Sequence, residues 1–152
     1  MFRGLNEVSL DSKGRVAIPS RFRDRLTSIA AGCLVQTMSP LDCSLWIYPL
    51  PEWGLIEAKL AALSDFDRQS RRAKQMMRGY ATDCQLDLQG RILIPASLRE
   101  YAQLGKQIVI LGQGNKFEIW DKQVWKEQRN IWLDSLADET SEPSETLKSL
   151  SL

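Results

Sequence analysis

The chain has 152 residues, 43% hydrophobic and 26% charged, a composition suited to one domain with a real core. Its 20 Lys/Arg nearly balance 19 Asp/Glu, so bulk charge points to no polyanionic partner, and the absence of histidine removes the commonest general base and metal ligand. Cys33, Cys43 and Cys84 are odd in number and lack CxxC spacing, which predicts reduced, mostly buried thiols and no metal cluster.

The start "MFRGLNEV" lacks the apolar core of a signal peptide, and no apolar run approaches the roughly 20 residues that span a bilayer. A soluble intracellular chain is expected. "NEVSL" and "RVAI" read as short strands joined by a turn, in which Gly14 suits a positive φ and Asp11 can bond the local backbone. In such a hairpin Asp11 and Arg15 form an opposite-charge pair. Pro19 then opens a helix, "SRFRDRLTSIA", with Phe22, Leu26 and Ile29 on its apolar stripe and Arg21, Arg23 and Arg25 on the face expected to meet solvent. Two strand-like runs follow, "GCLVQTM" and "SLWIYPL". Pro51 next opens a helix striped by Trp53, Ile56, Leu60 and Leu63.

"SDFDRQSRRAKQMMRGY" is a basic helical segment that Ser64 is expected to cap and Gly79 to end. Arg68, Arg71, Arg72, Lys74 and Arg78 stand in it without an acid after Asp67. A run of this kind serves as a solvated face or as a phosphate-contacting one. Met76 and Met77, beside Phe66, read as core or interface filler and not as a ligand site.

Residues 86–99, "LDLQGRILIPASLR", then repeat residues 10–23, "LDSKGRVAIPSRFR". Asp11, Gly14, Arg15, Ile18, Pro19 and Arg23 recur as Asp87, Gly90, Arg91, Ile94, Pro95 and Arg99, without a gap. The context recurs too: a short helix "ASLREYAQL", strands "QIVILG" and "KFEIW", and a helix "KQVWKEQRNIWL" that Asp121 is placed to cap. "LGQGNKF" lacks a following helix, so it reads as a hairpin turn and not a nucleotide loop. The module ββαββα is therefore written twice. The five tryptophans fall at core positions, which favours burial or subunit packing over base stacking. The halves implied are 1–63 and 80–133, joined by the basic connector 64–79 and followed by an acidic, flexible tail, 134–152, with Asp134, Asp138, Glu139, Glu142 and Glu145. The tail balances a basic front: residues 1–79 carry twelve Lys/Arg and eight Asp/Glu, whereas residues 80–152 carry eight and eleven.

Two copies of D-x-x-G-R place two guanidinium groups at related positions, a chemistry matched to phosphates and guanine edges. Arg15, Lys13, Ser12, Arg91, Gln89 and Arg3 are the candidate DNA contacts, while Asp11, Asp87, Gly14 and Gly90 shape the loops. Arg21, Arg71, Arg72 and Lys74 are secondary basic candidates. Lys13 corresponds to Gln89, so the first loop is expected to bind polyanion more strongly. No catalytic constellation is found, and no cofactor is called for.

The opening "MFRG", the doubled D-x-x-G-R with its following I-P, "YPLPEW" and "NKFEIWD" together resemble the MraZ family of bacterial regulators. The resemblance covers the chain apart from its tail. It implies an α+β fold, a double-split β-barrel related to the AbrB family, built from the two ββαββα repeats with helices packed outside. It also implies a non-enzymatic transcriptional regulator, a repressor by expectation, acting at the promoter of the division and cell-wall gene cluster. The implied partners are double-stranded DNA carrying short direct repeats and further copies of the chain in a ring. No membrane and no small-molecule substrate are implied, and the location is cytoplasmic and nucleoid-associated. By residue match the DNA-contact motif falls on Asp11 and Arg15, and on Asp87 and Arg91. The rival reading is a ring-forming scaffold whose basic face binds an acidic protein.

Overall fold

The computed structural model describes residues 1–138 and 142–151. The first copy runs β1 (Phe2–Ser9), β2 (Arg15–Ala17), α1 (Ser20–Ala30), β3 (Cys33–Met38), β4 (Leu45–Pro49) and α2 (Leu50–Ala61). After α3 (Arg68–Gly79), the second runs β5 (Thr82–Gln85), β6 (Arg91–Leu93), α4 (Ala96–Tyr101), β7 (Gln107–Gly114), β8 (Phe117–Asp121) and α5 (Lys122–Leu136). The doubled ββαββα order is present.

Strand pairing departs from the local hairpins read from each copy. The first turn closes with a single bridge, Leu10 to Val16, and β1 leaves its own copy to pair antiparallel with β7 over eight positions, from Phe2 opposite Gly114 to Ser9 opposite Gln107. In return β5 pairs with β3 of the first copy, and the short β2 pairs with β6. The physical reason lies in the lengths and the packing. β2 has three residues and offers little ladder, whereas β1 gains a full edge on β7 and seats Phe2 against Phe22 and Phe117, ring centroids 5.2 and 5.4 Å away.

The result is a six-stranded antiparallel sheet, β1-β7-β8-β4-β3-β5, with a two-stranded ribbon, β2-β6. Each copy completes the other, which is the strand exchange of a double-split β-barrel in an α+β protein. Equivalent positions meet at the centre: Val16 faces Ile92 in the ribbon, and Trp46 faces Glu118 where β4 meets β8. The approximate two-fold axis relating the copies passes between these pairs. A shared core joins both copies through Val16, Ile18, Phe22, Leu26, Ile92, Ile94, Leu98 and Phe117, all at most 2% exposed.

A second cluster, with Val35, Tyr48, Trp53, Leu60 and Met77, packs under α2 and α3. On the second copy Trp120, Trp125 and Trp132 pack edge to face, with centroids 5.3 to 6.4 Å apart. Tryptophan is thus used for packing here, although Trp132 keeps 43% of its surface exposed.

Several local expectations need correction. α3 begins at Arg68 and is capped by Asp67, whose carboxylate accepts from Ser70 N at 3.0 Å, while Ser64 Oγ instead accepts from Phe66 N at 3.1 Å. Of the two methionines read as core or interface filler, Met77 is buried, whereas Met76 stays more than a third exposed and the neighbouring Phe66 is fully exposed. Ile29 and Leu63 sit at the ends of their stripes and stay more than a third exposed. Asp121 caps α5 as expected, accepting from Gln123 N and Val124 N. α5 continues to Leu136, and a further turn of helix, α6 (Glu145–Lys148), is capped by Ser144. Within the tail 134–152, expected to be acidic and flexible, these are the end of α5 and one short turn of helix; its Glu139 lies outside the described residues.

Candidate nucleic-acid interface

The repeated line folds into two loops, residues 11–15 and 87–91, with matching hydrogen bonds. Asp11 Oδ1 accepts from the backbone N–H groups of Lys13 and Arg15, both at 2.9 Å, and Asp87 Oδ1 accepts from those of Gln89 and Arg91, at 2.8 and 2.9 Å. The second carboxylate oxygen takes the guanidinium: Arg15 Nε lies 3.1 Å from Asp11 Oδ2, and Arg91 Nε lies 3.1 Å from Asp87 Oδ2. A short side chain that closes a turn onto its own backbone is what aspartate does well. Each loop then crosses a glycine at positive φ, +82° at Gly14 and +73° at Gly90, where a Cβ would be strained.

These bonds lower the pKa of both carboxylates. For Asp11 the Arg15 N–H is the foremost cause, with the Lys13 N–H and the Arg15 guanidinium adding to it; for Asp87 the Arg91 N–H leads, with Gln89 and the Arg91 guanidinium behind it. Both stay ionised and hold their arginines at neutral pH. Each pair engages Nε, so the two terminal nitrogens of Arg15 have no partner among the described residues. A planar fork held at its base with its tip free is preorganised for a bidentate acceptor.

The ribbon brings the two loops together. Arg15 stands opposite Leu93 and Arg91 opposite Ala17, while the intervening Val16 and Ile92 point into the core. By strand alternation Arg15, Ala17, Arg91 and Leu93 share the outer face. Arg91 Nη1 reaches to 3.7 Å from Asp11 Oδ2, so the loops touch through side chains.

Not every candidate gathers here. Asp11, Ser12, Lys13, Gly14, Arg15, Asp87, Gln89, Gly90 and Arg91 occupy the two loops. Arg3 lies on β1 opposite Gln113, and Arg21 packs against the neighbouring Gly4 and over the ring of Phe22, 5.4 Å from its centroid. Arg71, Arg72 and Lys74 lie on α3, which packs on α2 and β3. Lys74 is not a free cation: it pairs with Asp65 and donates to Leu63 O at 2.9 Å. Arg72 borders a groove with Pro40, Leu41 and Tyr101.

Three residues emerge that the sequence reading placed elsewhere or passed over. Arg23, expected on the solvated face of α1, is half-buried beneath Gly90, and Arg99 occupies the corresponding place beneath Gly14. The repeat itself carried that signal: Arg23 recurs as Arg99, whereas its neighbours Arg21 and Arg25 become Ser97 and Tyr101. Lys106 joins Leu10, Asp11 and Ser12 along a shallow cleft, its carbonyl accepting from Leu10 N at 2.8 Å. The equivalent bond in the second loop runs from Leu86 N to Gly32, which has no side chain to offer. Only a comparison of the two strand edges reveals Lys106.

Both halves of the chain match the family model for MraZ protein, an antitoxin-like family by its description, at residues 1–76 and again at 77–146. The chain belongs to the MraZ family. It is 51% identical over 152 residues to the Transcriptional regulator MraZ of Thioalkalivibrio sulfidiphilus and 49% identical to that of Halorhodospira halophila, with each chain covered in full. It is also 52% identical over 125 residues to the Transcriptional regulator MraZ of Pseudomonas aeruginosa, covering 82% of this chain and 83% of that one. The MraZ relatives carry the name of a regulator and not of an enzyme, and the MraZ boundary between residues 76 and 77 falls within α3. No described helix is long and apolar enough to cross a membrane.

Proposed function

We propose that this transcriptional regulator reads double-stranded DNA through its paired loops, with Arg15 as the principal base contact and Arg91 as its counterpart. The observation that carries this reading is the pairing itself: two arginine loops, each closed by its own aspartate, on one face of the β2-β6 ribbon. A guanidinium held by Nε with its terminal nitrogens outward is matched to the O6 and N7 of guanine, a contact worth about 1–3 kcal/mol in discrimination. Lys13 and Ser12 within the first loop, with Lys106 beside it, supply phosphate affinity, and Gln89 offers the second loop a neutral donor. Asp11 and Asp87 orient the arginines and do not touch phosphate, which a carboxylate repels.

The family resemblance supports the finer target: short direct repeats in the promoter of the division and cell-wall gene cluster, repression there, and a ring of several copies. A ring suits a subunit with few phosphate contacts, because neighbouring copies on tandem repeats gain avidity without a new contact. Such a protein works in the cytoplasm, on the nucleoid. Its test is selection of bound duplexes from random DNA by the full chain, with particle mass measured on the same sample. Arg15→Ala is expected to lose sequence-specific binding to the selected duplex while keeping its circular dichroism and particle mass. Unchanged affinity at moderate salt would overturn the assignment. Selection that yields no enriched duplex would favour an acidic protein as the partner.

A further inference from the structure

The two loops do not stand on their own copies. Gly14 O accepts from Ile94 N at 2.8 Å, and Gly90 O accepts from Ile18 N at 3.0 Å, so each loop is hung on the opposite copy. Beneath the same glycines lie two arginines, also exchanged. A Cβ built on Gly14 would meet Arg99 at Cζ, 2.9 Å, and Nε, 3.0 Å; one on Gly90 would collide with Arg23 at Cδ and Nη1. The guanidinium therefore fills the space that a side chain on the loop glycine would need, and the glycine's positive φ presents its bare α-carbon to it.

We propose that Arg99 and Arg23 are positioning residues that act crosswise: Arg99 sets the conformation of the 11–15 loop, and Arg23 that of the 87–91 loop. Each is placed by a rigid segment. Ile94 and Leu98, both buried, anchor the segment that leads into Arg99, and Ile18 and Phe22 do the same for Arg23. One short stretch thus supplies both the N–H that fixes the loop carbonyl and the planar group that fixes its α-carbon. Lysine has no plane to lay against the glycine, and an aliphatic side chain cannot donate along the helix start, so arginine meets the requirement.

The two braces are unequal. Arg99 Nε donates to Ile94 O at 3.0 Å, which locks its plane, whereas Arg23 Nε is buried with no partner among the described residues. A buried donor left unpaired weakens the second brace. The loop with the extra cations is therefore also the more firmly held.

The brace is tested first without DNA, on the full chain, by amide hydrogen exchange and NMR. Arg99→Lys is expected to raise exchange at the Gly14 and Arg15 amides about tenfold while leaving Gly90 and Arg91 within about twofold, and Arg23→Lys to do the reverse. Perturbation of each variant's own copy, of both loops equally, or of neither overturns the proposal. Should a lysine variant fail to fold, Arg99→Met and Arg23→Met carry the same expectation. In the unmutated chain, proton cross-peaks from Arg99 to the Gly14 α-protons and from Arg23 to those of Gly90 are required in any event, and their absence is fatal to it.

The functional arm rests on the reading that the 11–15 loop contacts DNA. Arg99→Lys is expected to weaken binding to the selected duplex about fivefold with an unchanged salt slope, whereas loss of one phosphate contact lowers that slope by about 0.9. A reduced slope would make Arg99 a DNA contact and not a brace. Crosswise exchange in a chain that binds no duplex leaves the brace standing and removes the DNA reading. Loss of binding in Arg15→Ala without crosswise exchange does the opposite.

Discussion

Arg91 reaches a carboxylate of the other copy: its Nη1 lies 3.7 Å from Asp11 Oδ2, while its Nε is 3.1 Å from Asp87. Arg91 is therefore flanked by two acids, and Arg15 pairs with Asp11 alone among the described residues. Exposed pairs of this kind contribute little to stability, but they decide which guanidinium has charge to spare for a ligand. Arg15→Ala should weaken binding to a selected duplex more than Arg91→Ala does, by at least about fivefold, one bidentate contact being worth about 1–3 kcal/mol. Fluorescence anisotropy on the two variants at one salt concentration checks the order, and equal losses would contradict it.

The first loop has Lys13 and Lys106 where the second has Gln89 and Gly32. Lys13→Gln and Lys106→Ala should each lower the slope of log K against log salt by about 0.9 per phosphate contact, and Gln89→Lys should raise it similarly. Titrations between low and moderate salt measure all three. A Gln89→Lys variant that binds no better would show that the second loop lies away from the phosphates.

The pKa of both loop carboxylates is lowered from 3.8. For a depressed acid the sign is fixed: the stabilisation is full above the unfolded value and is lost as pH falls through the folded one. The loop networks should hold from neutral pH to below the ordinary carboxylate range, with carboxyl carbon shifts of Asp11 and Asp87 titrating below 3.8. The chain has no histidine, so DNA affinity should also be flat from about pH 5.5 to 7. A bell or step in that interval, measured by anisotropy, would reveal a titrating group that the loops do not contain.

Val16 and Ile92 face each other at the approximate two-fold axis with 0% and 1% exposure. Ile92→Ala opens a cavity where both copies meet and should destabilise the fold by about 2–5 kcal/mol. Gly14→Ala adds left-handed strain of about 1–2 kcal/mol and displaces the Arg99 guanidinium. Urea denaturation of both variants checks these magnitudes. A Gly14→Ala chain as stable as the unmutated one would mean that Arg99 moves aside at no cost.

Element order and the location of the loops were legible, because a motif repeated with its context marks the same turn, strand and helix twice. Partnership was not legible from periodicity. Alternation along β1 and β2 says which face is buried, but not which strand lies alongside. Only the double-split barrel implied by the family resemblance pointed beyond each copy. Arg23 shows a similar limit: helical spacing puts it on the outer face of α1, yet a glycine from the other copy opens a slot there. Lys74 stands in a basic run that reads as a solvated or phosphate-contacting face, and the nine-residue spacing to Asp65 does not reveal that the two pair.

The exchange of β1 also sets a clock. Residues 2–9 find their partners only at 107–114, about 100 residues later in synthesis. At translation rates of about 5–20 residues per second, the N-terminal strand waits roughly 5–20 s for the edge it completes. Through that interval its ladder groups and Phe2 are unprotected on the nascent chain. Neither half can close its sheet before the other exists, so a truncated product lacking β7 is left with an unpaired strand at the surface, open to pairing with whatever edge it meets.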